Sequence, residues 1–459
     1  MTPALPRLTY LVFDGGMAAR AIRTSGFTVI KFAGQNGLRL AGNLILTRLL
    51  FPEAFGMMAL VQVVLAGSAM VSDFGIKGSI VQDRRGDDPD FLNTAWTLQI
   101  LRGVLLGGVI VLGAAPIAAF YNTPALADLL LVAAAIPVIQ GFTSTRLATA
   151  SRHMAIGHMV GLHLGAQAAG IAVMIVLALS VGSVWALMLG TLVAPILVAV
   201  LSHIVLPGIR NRLRLEPQAL RRMFNFGKYI FLATAAGFVI AQGDKAVLAK
   251  FVSLSDLAIY NIGFFLATVP ALLAQRLSHA VMFPLYARRP PDAAATNRNK
   301  INQARRLITG GLLAGLICLS LIGDALIGVL YDARYAGAGP LLVLIALAAM
   351  PSLITASYVS LPLAAGHAGR YALLMVAGAV IQFTLVLLGA WLFGLVGVAI
   401  APALAALIFY PILIFGVCRD GGWDPIHDLA YHAVAAVAAV AIIMIQWDLL
   451  AVLFASAGL

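Results

Sequence analysis

The chain has 459 residues, of which 61% are apolar and 10% charged, against roughly 45–50% and about 25% in soluble domains. So few charges cannot cover a water-facing surface, which excludes a soluble globular domain, a disordered chain and a disulfide scaffold. The 30 basic against 18 acidic residues, a net +12, read as the basic cytoplasmic side of a membrane protein; nucleic acid is not an expected partner, because no basic segment is interleaved with exposed aromatics.

The apolar runs are about 20 residues long and continuous, which is the signature of spanning helices rather than of the alternating strands of a barrel. Residues 1–25 read as a cytoplasmic N-terminal segment: LTYLVF (8–13) is too short for a signal-peptide core, and Asp14 ends it. Apolar stretches follow near 26–49, 55–80, 93–120, 125–148, 158–181, 184–206, 225–251, 256–285, 307–330, 340–364, 371–392 and 394–417. A thirteenth, 430–457, is one helix or two short ones broken near Trp447–Asp448. The expected fold is therefore an all-α polytopic membrane protein.

The connections alternate in charge. Nineteen basic residues fall in the tail and in one set of loops, among them Arg84, Arg85, Arg152, Arg210, Arg221, Arg288, Arg305, Arg306, Arg370 and Arg419. The other set, FPEA (51–54), YNTPAL (121–126), VGS (181–183), VSLSD (252–256), YDARYAGAG (331–339) and FGLVG (393–397), holds one, Arg334. This split places the N-terminus and the basic loops in the cytoplasm. The basic linker 207–224 separates a first lobe, 26–206, from a second, 225–417, with 430–459 beyond it. RLLFPEAFG (48–56) and KFVSLSDLA (250–258) stand at corresponding places, which supports two pseudo-symmetric six-helix lobes. The stretch 288–300 is expected to be polar and mobile, and DRRGDDPD (83–90) to be a solvated face.

An ionisable group costs about 2.5–3.5 kcal/mol in a bilayer on insertion scales, so each needs a reason. Helix 1 carries Lys31, Gln35, Arg39 and Asn43 at intervals of four, which puts them on one slowly winding face. Helix 2 carries Asp73 and Lys77, helix 7 Gln242, Asp244 and Lys245, and helix 8 Gln275, Arg276 and His279. Arg48 and Lys250 lie near helix ends and read as snorkelling; Lys31 fits either role. Arg146 reads as topological, and Arg102 and Asp324 as pairs within a lobe. Arg39, Lys77, Lys245 and Arg276 point to a shared water-filled cavity, with Asp73 and Asp244 as charge partners or ion-coupling groups. The excess of cations suits an anion, phosphate above all. No GxxxxGK[ST], HExxH or GxSxG is present, and Cys318 and Cys418 show no ligand spacing. No enzymatic activity, metal or cofactor is expected.

RLLFPEAFGMMALVQVVLAGSAMVSDFGIKGSIVQ (48–82) resembles the helix 1–2 region of the Wzx-type oligosaccharide flippases, which share a superfamily with the MATE exporters and the lipid II flippase. FLNTAW (91–96), FNFGKYIF (224–231), the stretch 243–270 and VMFPLYARR (281–289) resemble further segments of that family. The resemblance covers about 30–420 and rests on the order of diffuse patterns rather than on one motif. It implies two six-helix lobes forming a V-shaped central cavity, with one or two further C-terminal helices. It implies a flippase that moves undecaprenyl-pyrophosphate-linked oligosaccharide repeat units from the cytoplasmic to the periplasmic leaflet of the bacterial inner membrane. It implies that the product is an exopolysaccharide, colanic-acid-like or O-antigen-type polysaccharide, and that a polymerase and chain-length machinery are expected partners besides membrane lipids. Arg39 and Arg276 match by helix the cations thought to hold the pyrophosphate. Alternatives are a MATE-like ion-coupled exporter of small molecules, which the cationic bias disfavours, and a non-transporting scaffold of a polysaccharide-synthesis complex.

Overall fold

The computed structural model describes the backbone of residues 17–71, 75–153 and 156–456, and their side chains except those of 17–30, 71, 156, 224–230, 233, 279–280 and 456. Among the described residues there is no β-strand. Among the described residues nine helices are long and apolar enough to cross a membrane, or ten if the bent pair within 125–152 counts as one span. Among the described residues each apolar stretch predicted from sequence is mostly helical, with breaks inside some of them. The first and seventh, α1 (Met17–Leu49) and α10 (Pro217–Phe251), carry the basic residues singled out above. Large apolar side chains stand outward, as they do where the surrounding solvent is lipid: Leu112 is 80% exposed and Trp391 71%.

The chain divides into two compact units, Met1–Ala54 with Ser68–Phe231, and Phe55–Gly67 with Leu232–Leu459. Unit 1 holds α1, the ends of α2 (Pro52–Val71), α3 (Ile76–Gln82), α4 (Pro89–Phe120), α5 (Ala125–Ala133), α6 (Ala135–Gly141), α7 (Arg146–Arg152), α8 (Ile156–Val181) and α9 (Val184–Ile204). Helix α4 starts where Asp88 accepts the Asp90 amide and Pro89 occupies the first turn, a strong start signal. Helices α4 and α6 cross closely at glycines: a Cβ on Gly103 would lie 2.5 Å from the Pro137 carbonyl oxygen.

The fourth predicted span is broken at 142–145, and α7 turns away from the α5–α6 pair by 57°. A break in lipid is tolerated only where its freed backbone groups find partners. Here Gln99 Nε2 donates to the carbonyls of Gln140, Gly141 and Thr143, and Ser202 Oγ accepts the Ser144 amide. Arg146 is more than a topological charge: its guanidinium donates to the carbonyls of His203, Leu206 and Ile209, closing the C-terminal end of α9.

Unit 2 holds the middle of α2, most of α10, α11 (Leu254–Leu277), a wide turn at Ser278–Met282, α12 (Phe283–Arg288), α13 (Ala295–Leu330), α14 (Ala338–Thr355), α15 (Leu361–Ala364), α16 (Ala368–Cys418), α17 (Pro425–Ile445) and α18 (Trp447–Ser456). Apolar on every side, α14 is the most buried span, as expected of a central helix. Helix α16 is two helices joined at Gly394, whose φ of 55° lies in the left-handed region. Its arms touch backbone to backbone: a Cβ on Gly389 would come within 2.6 Å of the Gly397 oxygen. Among the described residues the run 430–457 is one span plus α18, whose 10 residues reach about 15 Å, half of a hydrocarbon core.

Two expectations change. Helix α13 begins at Ala295, inside the stretch read as mobile, and α10 begins at Pro217, inside the basic linker. Both extensions are polar, so a hydropathy window ends the helix too early. Asp324 lies against α14, where a Cβ on Gly339 would overlap its carboxylate, and Arg102 donates to the Ala69 carbonyl at 2.6 Å.

Candidate functional site

Within unit 1 a cavity of about 470 Å³ lies among α1, α3, α4, α6, α8 and α9. Of the predicted site residues, Gln35 and Lys77 line it. His163 and Gln167 join them from α8, with Gln99, Gln140 and Thr143. Among the described residues no acid lines the cavity. The Gln167 amide donates to the Gln35 carbonyl at 2.9 Å, joining α8 to α1. Lys31, half-buried on α1, and Lys77 both act electrostatically on His163. Sequence reasoning passed over His163 and Gln167, yet a signal was there: they stand four apart on α8, the same spacing that marked the polar face of α1.

Arg39 is exposed and Asn43 half-buried on the following turns of α1, and neither lines this cavity. Asp73, the predicted partner of Lys77, lies outside the described residues, as does the side chain of His279, whose backbone lies in the wide turn after α11. Arg276 is exposed near the end of α11, and Gln242 is half-buried on α10.

Lys245 is not presented to open water. It is 7% exposed, with Nζ 3.8 Å from Asp244 Oδ2 and 3.8 Å from the centre of the Phe264 ring. Tyr260 donates to the same Asp244 oxygen at 2.8 Å, while Asp244 Oδ1 has no hydrogen-bond partner among the described residues. The structure thus gathers Asp244 and Lys245 with two aromatic rings inside unit 2.

Two further polar networks escaped the sequence reading. The acidic cluster at 83–90 is a clasp rather than a solvated face. Arg85 bridges Asp88 and Glu216, Arg152 and His153 hold Asp87, Arg214 pairs with Asp90, and Arg222 with Asp83. The amides of Arg212, Arg214 and Glu216 donate to Asn93, Thr97 and Thr94 on α4. These bonds strap the start of the linker to α4. Both outlying carboxyls sit below their ordinary 3.8. Burial raises Asp87, but the bonds from His153 and Arg152 outweigh it; Asp88 is held down by Arg85. A depressed native pKa means stabilisation that is complete above the ordinary value and lost as pH falls through the native one. Asp88→Asn is therefore expected to lower thermal stability in detergent slightly at pH 7, by on the order of 0.5 kcal/mol for so exposed a pair, and the deficit should shrink as the pH is taken below 3.8. A deficit that grows in acid would refute the assignment.

The second network surrounds Arg305, which was read as a loop charge and is fully buried on α13. Its guanidinium donates to Ser357 Oγ, Tyr286 Oη and the Gly422 carbonyl and stacks on Tyr358, 4.0 Å from the ring centre. Tyr358 and Tyr410 each donate to Asp428 at 2.8 Å, joined by Trp423 and His427. Asp428 and His427, both in the first turn of α17, thereby fasten that helix to α13, α14 and α16.

A family model described as polysaccharide biosynthesis protein matches residues 45–340. The succinoglycan biosynthesis transport protein ExoT of Rhizobium meliloti (strain 1021) is 25% identical over 345 residues, covering 72% of this chain and 66% of its own, just under two thirds. Among solved structures, an inward-facing MATE-family multidrug resistance transporter of the MOP superfamily superposes with a TM-score of 0.65 at 13% identity, covering 91% of this chain and 98% of its own. The lipid II flippase MurJ in an inward closed conformation gives 0.63 at 13% identity, over 93% and 99%. The helical arrangement is that of these transporters, and the chain, a multi-pass membrane protein, belongs to the polysaccharide biosynthesis protein family.

Proposed function

We propose that the protein is a flippase that carries undecaprenyl-pyrophosphate-linked oligosaccharide repeat units from the cytoplasmic to the periplasmic leaflet of a bacterial inner membrane, with its N-terminus in the cytoplasm. The observation that carries this reading is the polar cavity inside unit 1, lined by the cation Lys77 with His163, Gln35 and Gln167 and, among the described residues, by no acid. A cavity with that charge among spanning helices suits an anionic, polar headgroup. Family membership and the transport role in ExoT's name support the same substrate class. Arg39 and Arg276 serve as pyrophosphate ligands, and Gln35, Asn43, Gln242 and His279 as further groups along the path, whereas Lys245 is held inside unit 2 by Asp244 and Phe264. Asp73 and Asp244 are the groups at which a coupling proton or sodium ion would bind. A polymerase downstream consumes the translocated units.

No nucleotide-binding motif is present, so the drive lies elsewhere. Moving a pyrophosphate with about two negative charges out of a negative interior is downhill by about 2.3 kcal/mol per charge per 100 mV, up to ~4.6 kcal/mol for both. In proteoliposomes with purified lipid-linked substrate and a potassium–valinomycin potential, outward flipping should accelerate when the inside is negative. A rate indifferent to voltage but dependent on a proton or sodium gradient would rule out the potential as the direct drive and point to an electroneutral antiport. Absence of flipping under every gradient would refute the function itself.

A further inference from the structure

Helix α17 enters unit 2 on a buried histidine with one nitrogen unused. His427, in the first turn, is 1% exposed. Its Nδ1 lies 2.8 Å from Asp428 Oδ1. An ionised carboxylate only accepts, so Nδ1 carries a hydrogen and donates it. Nε2 is buried and has no hydrogen-bond partner among the described residues. The Tyr431 ring packs on the imidazole with centroids 4.7 Å apart, and its hydroxyl is already spent on the Arg306 carbonyl.

The charges around this imidazole are balanced without it. From α13 come Arg305 and Arg306; from the start of α17 come Asp424 and Asp428. Arg306 pairs with Asp424, and Arg305 lies on the ring of Tyr358, which donates to Asp428. The other neighbours are neutral: Tyr286 of α12, Tyr410 and the exposed Cys418 thiol of α16, and His432, which donates to the Asp428 carbonyl. Helix α14, also packed against α17, carries no titratable residue. Asp428 takes hydrogens from His427, Tyr358, Tyr410 and Trp423, so it needs no charged partner. A proton added at Nε2 brings a third cation into this sealed network, on an N–H that meets no acceptor. Undocking the first turn gives that N–H to water.

We propose that His427 is the proton-binding site of a latch: α17 docks on α13 and α14 with the imidazole neutral, and its first turn releases when Nε2 takes a proton. The latch holds whatever the protein transports. Histidine is the side chain that ordinarily changes charge between about pH 5 and 8. The docked turn is therefore complete in alkali and weakens as pH falls below about 6.5, where a released histidine takes up its proton. At pH 5.5 that uptake favours release about tenfold. Carboxylates ordinarily titrate near 4, so the interval from pH 8 to 5.5 isolates the histidines.

The test is hydrogen exchange of the purified full-length protein in detergent, read as protection factors of the amides of residues 427–432. Protection should fall about tenfold from pH 8 to 5.5, while that of α14 holds. His427→Gln can still donate to Asp428 but cannot titrate, so it should keep the protection seen at pH 8 and lose the fall. His427→Phe keeps a ring without a proton site and should be equally protected at both pH values, at a lower level. His367→Gln, which removes the half-exposed histidine beside Asp420, and His432→Gln should both retain the fall. Protection indifferent to pH in the parent overturns the latch, and this arm needs no variant. So does a fall that persists in either folded variant of His427, a fall abolished by His367→Gln or His432→Gln, or a loss of protection in α14 that keeps step with α17.

Discussion

Arg305→Ala is expected to cost about 3–5 kcal/mol of stability, the range for breaking a fully buried charged network by removing one partner. The guanidinium is 0% exposed and satisfies acceptors on α12 and in the loops at 357 and 422 at once. Its removal strands the Gly422 carbonyl, leaves Tyr286 Oη with only its bond to the Ser357 carbonyl, and takes the cation from the face of Tyr358, which itself orients Asp428. Arg305→Lys keeps the charge but cannot fork to three acceptors, so it should recover only part of the loss. Arg306→Ala serves as the control, because its pair with Asp424 is half exposed on the arginine side and worth about 0–1 kcal/mol. Chemical unfolding in detergent reads the difference, and cleavage near residue 424 in limited proteolysis should rise as α17 loosens. Arg305→Ala as mild as Arg306→Ala would show that the network contributes little.

Arg39→Ala and Arg276→Ala are expected to abolish polysaccharide export while the protein still inserts and folds, with the lipid-linked intermediate accumulating inside the cell. Both side chains are exposed, unlike that of Lys245, and so can meet a ligand without unpacking a core. The lysine variants should restore only part of the activity, because an ammonium cannot make the bidentate contact of a guanidinium on phosphate. Arg48→Ala, which removes an exposed cation in the last turn of α1, should be nearly silent. If Arg48→Ala is as damaging as Arg39→Ala at equal membrane abundance, the roles of the two arginines are wrongly divided.

What the sequence determined by itself was the all-helical, multi-pass membrane class of the chain and the presence of polar residues one turn apart along α1. Both depend on local properties: about 20 apolar residues in a row cannot be left in water, and residues four apart share one side of a helix. The break near Trp447 and the turn at 393–397 were legible for the same reason, since Gln446 and Gly394 interrupt otherwise continuous runs. The partner of each charge was not legible. Arg305 and Arg306 are neighbours of identical chemistry, yet one is sealed in the core and the other reaches Asp424, which depends on how α13 is rotated against α14 and α17. Lys77 and Lys245 looked alike as intramembrane cations, but Lys77 lines a cavity and Lys245 is buried against Asp244 and Phe264. The clasp between residues 83–90 and 212–222 joins segments some 130 positions apart. Which polar groups meet, and which are left for a ligand, is a matter of long-range packing that no local pattern encodes.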